Sequence, residues 1–84
     1  MASAQDTVTW LLEWFAARNS DAATASDRLN TNYFDAGWID SLGVVELIAD
    51  AEDHFKITFT EHDFQDRRFP TIAGLAEIIG GHHG

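Results

Sequence analysis

Tyr33-Phe34-Asp35-Ala36-Gly37-Trp38-Ile39-Asp40-Ser41-Leu42-Gly43-Val44-Val45-Glu46-Leu47-Ile48 is the stretch whose reading decides the fold. A loop with aromatic residues and a glycine runs into Asp40-Ser41-Leu42, and from there apolar residues recur at helical spacing. Asp or Ser just ahead of such a stretch starts a helix, because its side-chain oxygen accepts from first-turn N–H groups that have no partner inside the helix. Ser41 is therefore expected at an exposed loop-to-helix junction, with its hydroxyl accessible. Most residues at such positions only cap, and Asp-Ser-Leu alone says no more than that. The surroundings of Ser41 are not G-x-S-x-G and no histidine is near in sequence, so a self-activated catalytic serine is not expected.

The helix that starts here should run from about Leu42 to about Phe55. At 100° per residue, Val44, Leu47, Ile48, Ala51 and Phe55 share one face, which reads as core. Leu42, Val45 and Ala49 form a second apolar line on the opposite flank, beside Glu46 and Asp53. The core does not need that line. It is either a few exposed apolar residues, which are ordinary, or a contact face.

Upstream, Thr7 is expected to cap a first helix of about three turns after a frayed start. Val8, Leu11, Leu12 and Phe15 form its buried stripe. Trp10 and Trp14 project from the edge of that stripe and either cover a neighbouring segment or mark a contact surface. Asn19 to Asn32 reads as a long polar connection, anchored by Leu29 and the Tyr33-Phe34 pair, and Gly37 supplies the turn before Trp38. Downstream, Lys56-Ile57-Thr58-Phe59 reads as an extended link that buries Ile57 and Phe59. Thr60 and Asp63 resemble a capping box for a short helix around Glu61 to Gln65, with Phe64 inward. Arg67 and Arg68 are expected to reach the acidic second helix. Pro70-Thr71 starts the last helix, with Thr71 as cap and Ile72, Leu75, Ala76 and Ile79 as its stripe. Gly80-Gly81 should end it, leaving a Gly/His tail at 81–84. His54 and His62 have no metal-ligand spacing and read as surface residues, and adjacent His82 and His83 make no metal site on their own. Three longer helices and one short one, with no pairable strands, predict an all-α, small four-helix bundle.

With 84 residues the chain is read as a single domain, residues 1–84, with an ordered core from about 5 to 80. There are no cysteines, which excludes disulfides and thiolate metal sites. The formal net charge of −9 argues against nucleic acid, whose phosphates need basic residues. Between Asp35 and Asp53 stand Asp35, Asp40, Glu46, Asp50, Glu52 and Asp53 with no Lys or Arg, an acidic stretch suited to basic partner faces. No apolar run is long enough for a membrane span and no secretory signal is visible, so a cytoplasmic location is expected.

The composite Phe34-Asp35-x-Gly37-x-Ile39-Asp40-Ser41-Leu42, followed by Val45-Glu46-Leu47-Ile48, resembles the carrier-protein family of acyl, peptidyl and D-alanyl carriers. The resemblance continues through Phe55, Ile57 and Phe59 to Ile72, Leu75, Ile78 and Ile79. It implies an acyl-carrier-protein-like bundle and a covalent 4′-phosphopantetheine arm, taken from coenzyme A, on Ser41. The arm would hold an acyl or aminoacyl group as a thioester for a biosynthetic pathway: fatty acid, polyketide, nonribosomal peptide or D-alanyl transfer. It further implies that Asp40 takes part in recognition by the phosphopantetheinyl transferase. Leu42, Val45, Glu46, Ala49 and Asp53 would form the face read by that transferase, by a loading ligase and by a downstream synthase or transferase. Such a protein is a non-catalytic carrier and is expected to be a monomer. The Asp63-Phe64-Gln65-Asp66-Arg67-Arg68-Phe69 segment looks most like free-standing D-alanyl and other aminoacyl carriers. Gly-Gly-His-Ser, usual in peptidyl carriers, and Gly-Ala-Asp-Ser, usual in fatty-acid carriers, are both absent. The opposing reading is a small helical adaptor that binds a protein through Leu42, Val45 and Ala49, with Ser41 as a helix cap.

Overall fold

A computed structural model describes residues 4–19, 21–22 and 27–83. Among the described residues, four helices are delimited: α1 (Ala4–Arg18), α2 (Ser41–Phe55), α3 (Glu61–Gln65) and α4 (Ile72–His83). This is the all-α arrangement of three longer helices and one short one that periodicity predicts. The only bridge between extended residues among those described joins Asn32 and Thr71. No helix among the described residues is long and apolar enough to cross a membrane.

Helix α1 begins by Ala4, so Thr7 lies inside it and is buried rather than capping. The helix formers Ala4 and Gln5, with Asp6 in the first turn, extend it upstream, an acid there being favoured by the helix dipole. Leu11 and Phe15 are fully buried, with Val8 and Leu12 packed at the edge of the core. The closest packing between helices is that of α1 on α4, where Ile72, Leu75, Ala76, Ile78 and Ile79 are all buried. Burial of so broad an apolar face is the main drive for assembly.

The α1–α2 connection is tied down from residue 27 onward. Tyr33 N–H donates to the Pro70 carbonyl at 3.0 Å and Ala73 N–H to the Leu29 carbonyl at 2.9 Å, which fixes the loop against the start of α4. The Tyr33 ring is fully buried and its hydroxyl donates to the Phe69 carbonyl; burial pushes its pKa up. Tyr33 is therefore the anchor, whereas Leu29 and Phe34, expected to tuck in beside it, stay more than a third exposed. Phe34 faces outward because Asn32 Oδ1 accepts from the N–H groups of Phe34 and Asp35, at 2.9 and 3.0 Å, and turns the chain away from the core there.

Beyond α2, Lys56 takes the left-handed conformation as C-cap, and Phe59 N–H donates to Glu52 Oε2 at 2.8 Å. Phe59 is buried by this clamp, as the alternation of residues 56–59 predicts, whereas Ile57, expected buried with it, is only half-buried against the core. The Thr60/Asp63 capping box is present in full. Phe64, expected inward, is 47% exposed. A five-residue helix has too little length to press it into the core, so it lies across Phe59 and Phe69 at the surface. Thr71 caps α4 by accepting from Gly74 N–H at 3.0 Å.

Two charge and end expectations fail. Arg68 does not reach α2: its guanidinium and backbone N–H both bind the Asp66 carboxylate, at 2.8 and 2.9 Å, a pair closed within two residues. That contact holds the Asp66 carboxyl down at about 2. Nor do Gly80 and Gly81 end α4, which runs on to His83. His82 Nε2 lies 2.8 Å from Asp63 Oδ2, and this link with α3 holds the last turn against the glycines' poor helix propensity. Burial pushes the Asp63 carboxyl up, but hydrogen bonds from Thr60 N–H and His82, with the attraction of His82, outweigh it and hold the group below its ordinary value.

Candidate functional site

The loop into α2 is built by local hydrogen bonds. Trp38 N–H returns to the Tyr33 carbonyl at 3.0 Å, and Gly37 turns the chain with φ of 75°, where a side chain would be strained. Trp38 is thereby sunk to 8% exposure. The chain then extends at Asp40 (φ −111°, ψ −177°), whose Oδ1 accepts from Gly43 N–H at 2.7 Å. Asp40 is thus the N-cap. A Cβ at position 43 would stand 2.9 Å from Ile39 Cγ1 and 3.1 Å from Asp40 Oδ1, so glycine is what allows the cap to close this tightly.

Ser41 follows as the first residue of α2 and is exposed. Its hydroxyl makes no hydrogen bond among the described residues. The reading of Ser41 as a helix cap is therefore corrected: Asp40 takes that role, one residue earlier, and leaves the serine hydroxyl available. It sits where unpaired N–H groups and the positive end of the helix dipole favour an anionic substituent. An exposed hydroxyl at that position fits a phosphodiester.

The two faces of α2 separate broadly as the angles predict. Leu47, Ala51 and Phe55 are buried, while Val44 and Ile48, expected with them, are only half-buried at the edge of the core. Leu42 and Val45 are 72% and 63% exposed, and Ala49, Glu46 and Asp53 are also at the surface. Not every acid of the helix is equally free. Glu52 is used on Phe59, and Asp50 Oδ2 accepts from Trp14 Nε1 at 2.8 Å and from Arg18 at 3.4 Å. Arg18 Nε also lies 4.0 Å from Glu46 Oε2, and Asp53 lies 4.0 Å from Lys56 Nζ. The stretch without cations in sequence thus meets one in space, brought by α1.

Trp10 and Trp14 are resolved by the same packing: both cover α2. Trp10 stacks on His54 with ring centroids 5.0 Å apart and meets Phe55 edge-on at 5.2 Å. Trp14 lies beneath the Arg18 guanidinium, 3.9 Å from its ring centroid. Between this pair and the loop runs an open groove of about 350 Å³, lined by Trp14, Arg18, Trp38, Ile39, Asp40 and Gly43. Arg18 went unnoticed in sequence. The available signal was its position four residues after Trp14, which puts the two on one helix face. Among the described residues no group of His, Asp and Glu is placed to hold a metal ion.

Comparison with known proteins bears on this site. A family model described as a phosphopantetheine attachment site matches residues 16–79. The chain is similar to the D-alanyl carrier protein of Streptococcus mutans, 49% identical over 57 residues, covering 63% of this chain and 72% of that protein. It is also similar to the D-alanyl carrier protein of Streptococcus suis, 36% identical over 58 residues, covering 64% and 73% of the two chains. No solved structure gives a significant match.

Proposed function

Because this chain belongs to the phosphopantetheine-attachment-site family of non-catalytic carrier proteins, we propose that its arm is carried on Ser41 and that its cargo is an aminoacyl group, D-alanyl in the first instance. When bound, 4′-phosphopantetheine supplies the thiol on which such a group is held as a thioester. The observation that supports Ser41 is its exposed hydroxyl on the first turn of α2, left free because Asp40 caps the helix. In the attachment step the Ser41 oxygen forms the new bond to phosphorus while the pyrophosphate linkage of coenzyme A breaks. The nucleotide leaves and the serine proton passes to the transferase, which supplies base and metal. The carrier has only to present the hydroxyl.

The cargo reading rests on the two D-alanyl carrier relatives and on the Asp63–Phe69 segment. Leu42, Val45, Glu46, Ala49 and Asp53 form the face offered to the transferase, to an aminoacyl ligase and to a downstream acyltransferase, and Asp40 contributes its charge to transferase recognition. Exposure of that apolar line beside acids is what supports it. Residues 1–84 act as one monomeric carrier domain in the cytoplasm, with coenzyme A as the source of the arm. Incubation with coenzyme A and a broad-specificity transferase should add one phosphopantetheine to the intact mass, and Ser41→Ala should add none. A wild type that gains no mass, or a Ser41→Ala protein that still gains it, removes the assignment.

A further inference from the structure

We propose that the groove between α1 and the start of α2, walled by Trp14 and Trp38 and edged by Arg18 and Asp40, is a resting site for the pantetheine portion of the arm; this rests on attachment at Ser41. Three observations carry it. The first is place: Asp40 and Gly43 line the groove and flank Ser41 one residue before and two after. The arm is several times longer than the roughly 2.3 Å radius of a helix backbone, so reaching round the helix end does not exhaust it.

The second is chemistry. Pantetheine alternates apolar carbon segments with amides and a hydroxyl. The groove offers two indoles, a guanidinium that donates, and a carboxylate that accepts. Its volume of about 350 Å³ is that of a small-molecule cleft, and it is open with polar edges. A long fatty tail would call for a dry apolar cavity instead. The third is preorganisation. Trp14 is held by its 2.8 Å bond to Asp50 and by Arg18 above it, and Trp38 by the turn from Tyr33, so both walls stand in place before anything docks. A short tether sets a local concentration in the millimolar range, so a millimolar intrinsic affinity fills the groove about half the time. The arm is then parked on its own carrier between partners and released without a large barrier.

The three tryptophans make the test internal. Trp14 and Trp38 line the groove, whereas Trp10 packs on His54, about 20 Å along α2 from Ser41 at 1.5 Å per residue. The indole N–H signals of the ¹⁵N-labelled protein are recorded before and after loading, with intact mass reporting the loading itself. In parallel, free pantetheine is titrated through the millimolar range into Ser41→Ala, which cannot be loaded. Loading should displace the Trp14 and Trp38 signals by several line widths and leave Trp10 in place, and free pantetheine should move the same two. A protein that gains the mass while Trp14 and Trp38 keep their unloaded positions overturns the resting site and leaves attachment standing. No mass gain removes attachment at Ser41 and overturns the resting site with it, whatever free pantetheine does in the titration.

Discussion

Asp40 is given two roles here, one seen in the fold and one proposed for recognition, and two substitutions separate them. Asp40→Ala removes the oxygen that accepts from Gly43 N–H at 2.7 Å. Loss of an N-cap costs about 0.5–2 kcal/mol, typically about 1. In a domain of this size 1 kcal/mol lowers the melting temperature by roughly 4–8 °C. Asn caps as well as Asp, so Asp40→Asn should stay within about 0.5 kcal/mol of the wild type. The cap closes on the turn that carries Ser41, so Asp40→Ala also loosens the hydroxyl's setting, while Asp40→Asn removes only the charge. Thermal denaturation, paired with the initial rate of phosphopantetheine loading, reads both effects. Stability should fall for Asp40→Ala alone, and the loading rate should fall for both. If Asp40→Ala melts with the wild type, the cap contributes nothing. If Asp40→Asn loads at the wild-type rate while Asp40→Ala is slow, Asp40 acts only by shaping the turn and the recognition role is refuted.

Leu47→Ala should lower stability by about 2–5 kcal/mol, since Leu47 is fully buried, whereas Val45→Ala, at a position 63% exposed, should cost far less and instead slow turnover with partners; equal denaturant midpoints would contradict the division of α2 into two faces. Reversing Glu46 and Asp53 to Lys should slow loading at low salt, and the difference should shrink toward 1 M, where the Debye length is about 3 Å; rates that do not change at low salt would remove the electrostatic contribution. Asp66 has its folded pKa lowered to about 2 from 3.8 by Arg68, so its stabilising contribution is present above the unfolded value and is lost as pH falls through the folded one. Acid titration of the melting temperature should therefore show a smaller loss between about pH 4 and 2 for Asp66→Asn than for the wild type, and equal losses would show that the pair is not coupled to folding.

What the sequence alone determined is what neighbours within about four residues decide. The extent of α2 and its two faces, the Thr60/Asp63 box, the Thr71 cap and the Gly37 turn are all of this kind. Each is a matter of side-chain spacing or of a hydrogen bond that closes within one turn. The division of labour between Asp40 and Ser41 lay at the limit of that reading: both residue types cap, and one residue of register decides which does. Tertiary structure decided the rest, because the deciding partners are distant in the chain. Arg18 meets Asp50 and Glu46 only once α1 lies along α2, so the free acids of the helix were not separable in sequence from those already engaged. His82 holds the end of α4 only because α3 brings Asp63 to it. Phe64 and Leu29 stay exposed although their apolar character alone would bury them, because a short helix and a pinned loop leave them no path inward. The groove beside Ser41 draws its walls from residues 14 and 18 on one side and 37 to 43 on the other, two segments that local spacing has no means of bringing together.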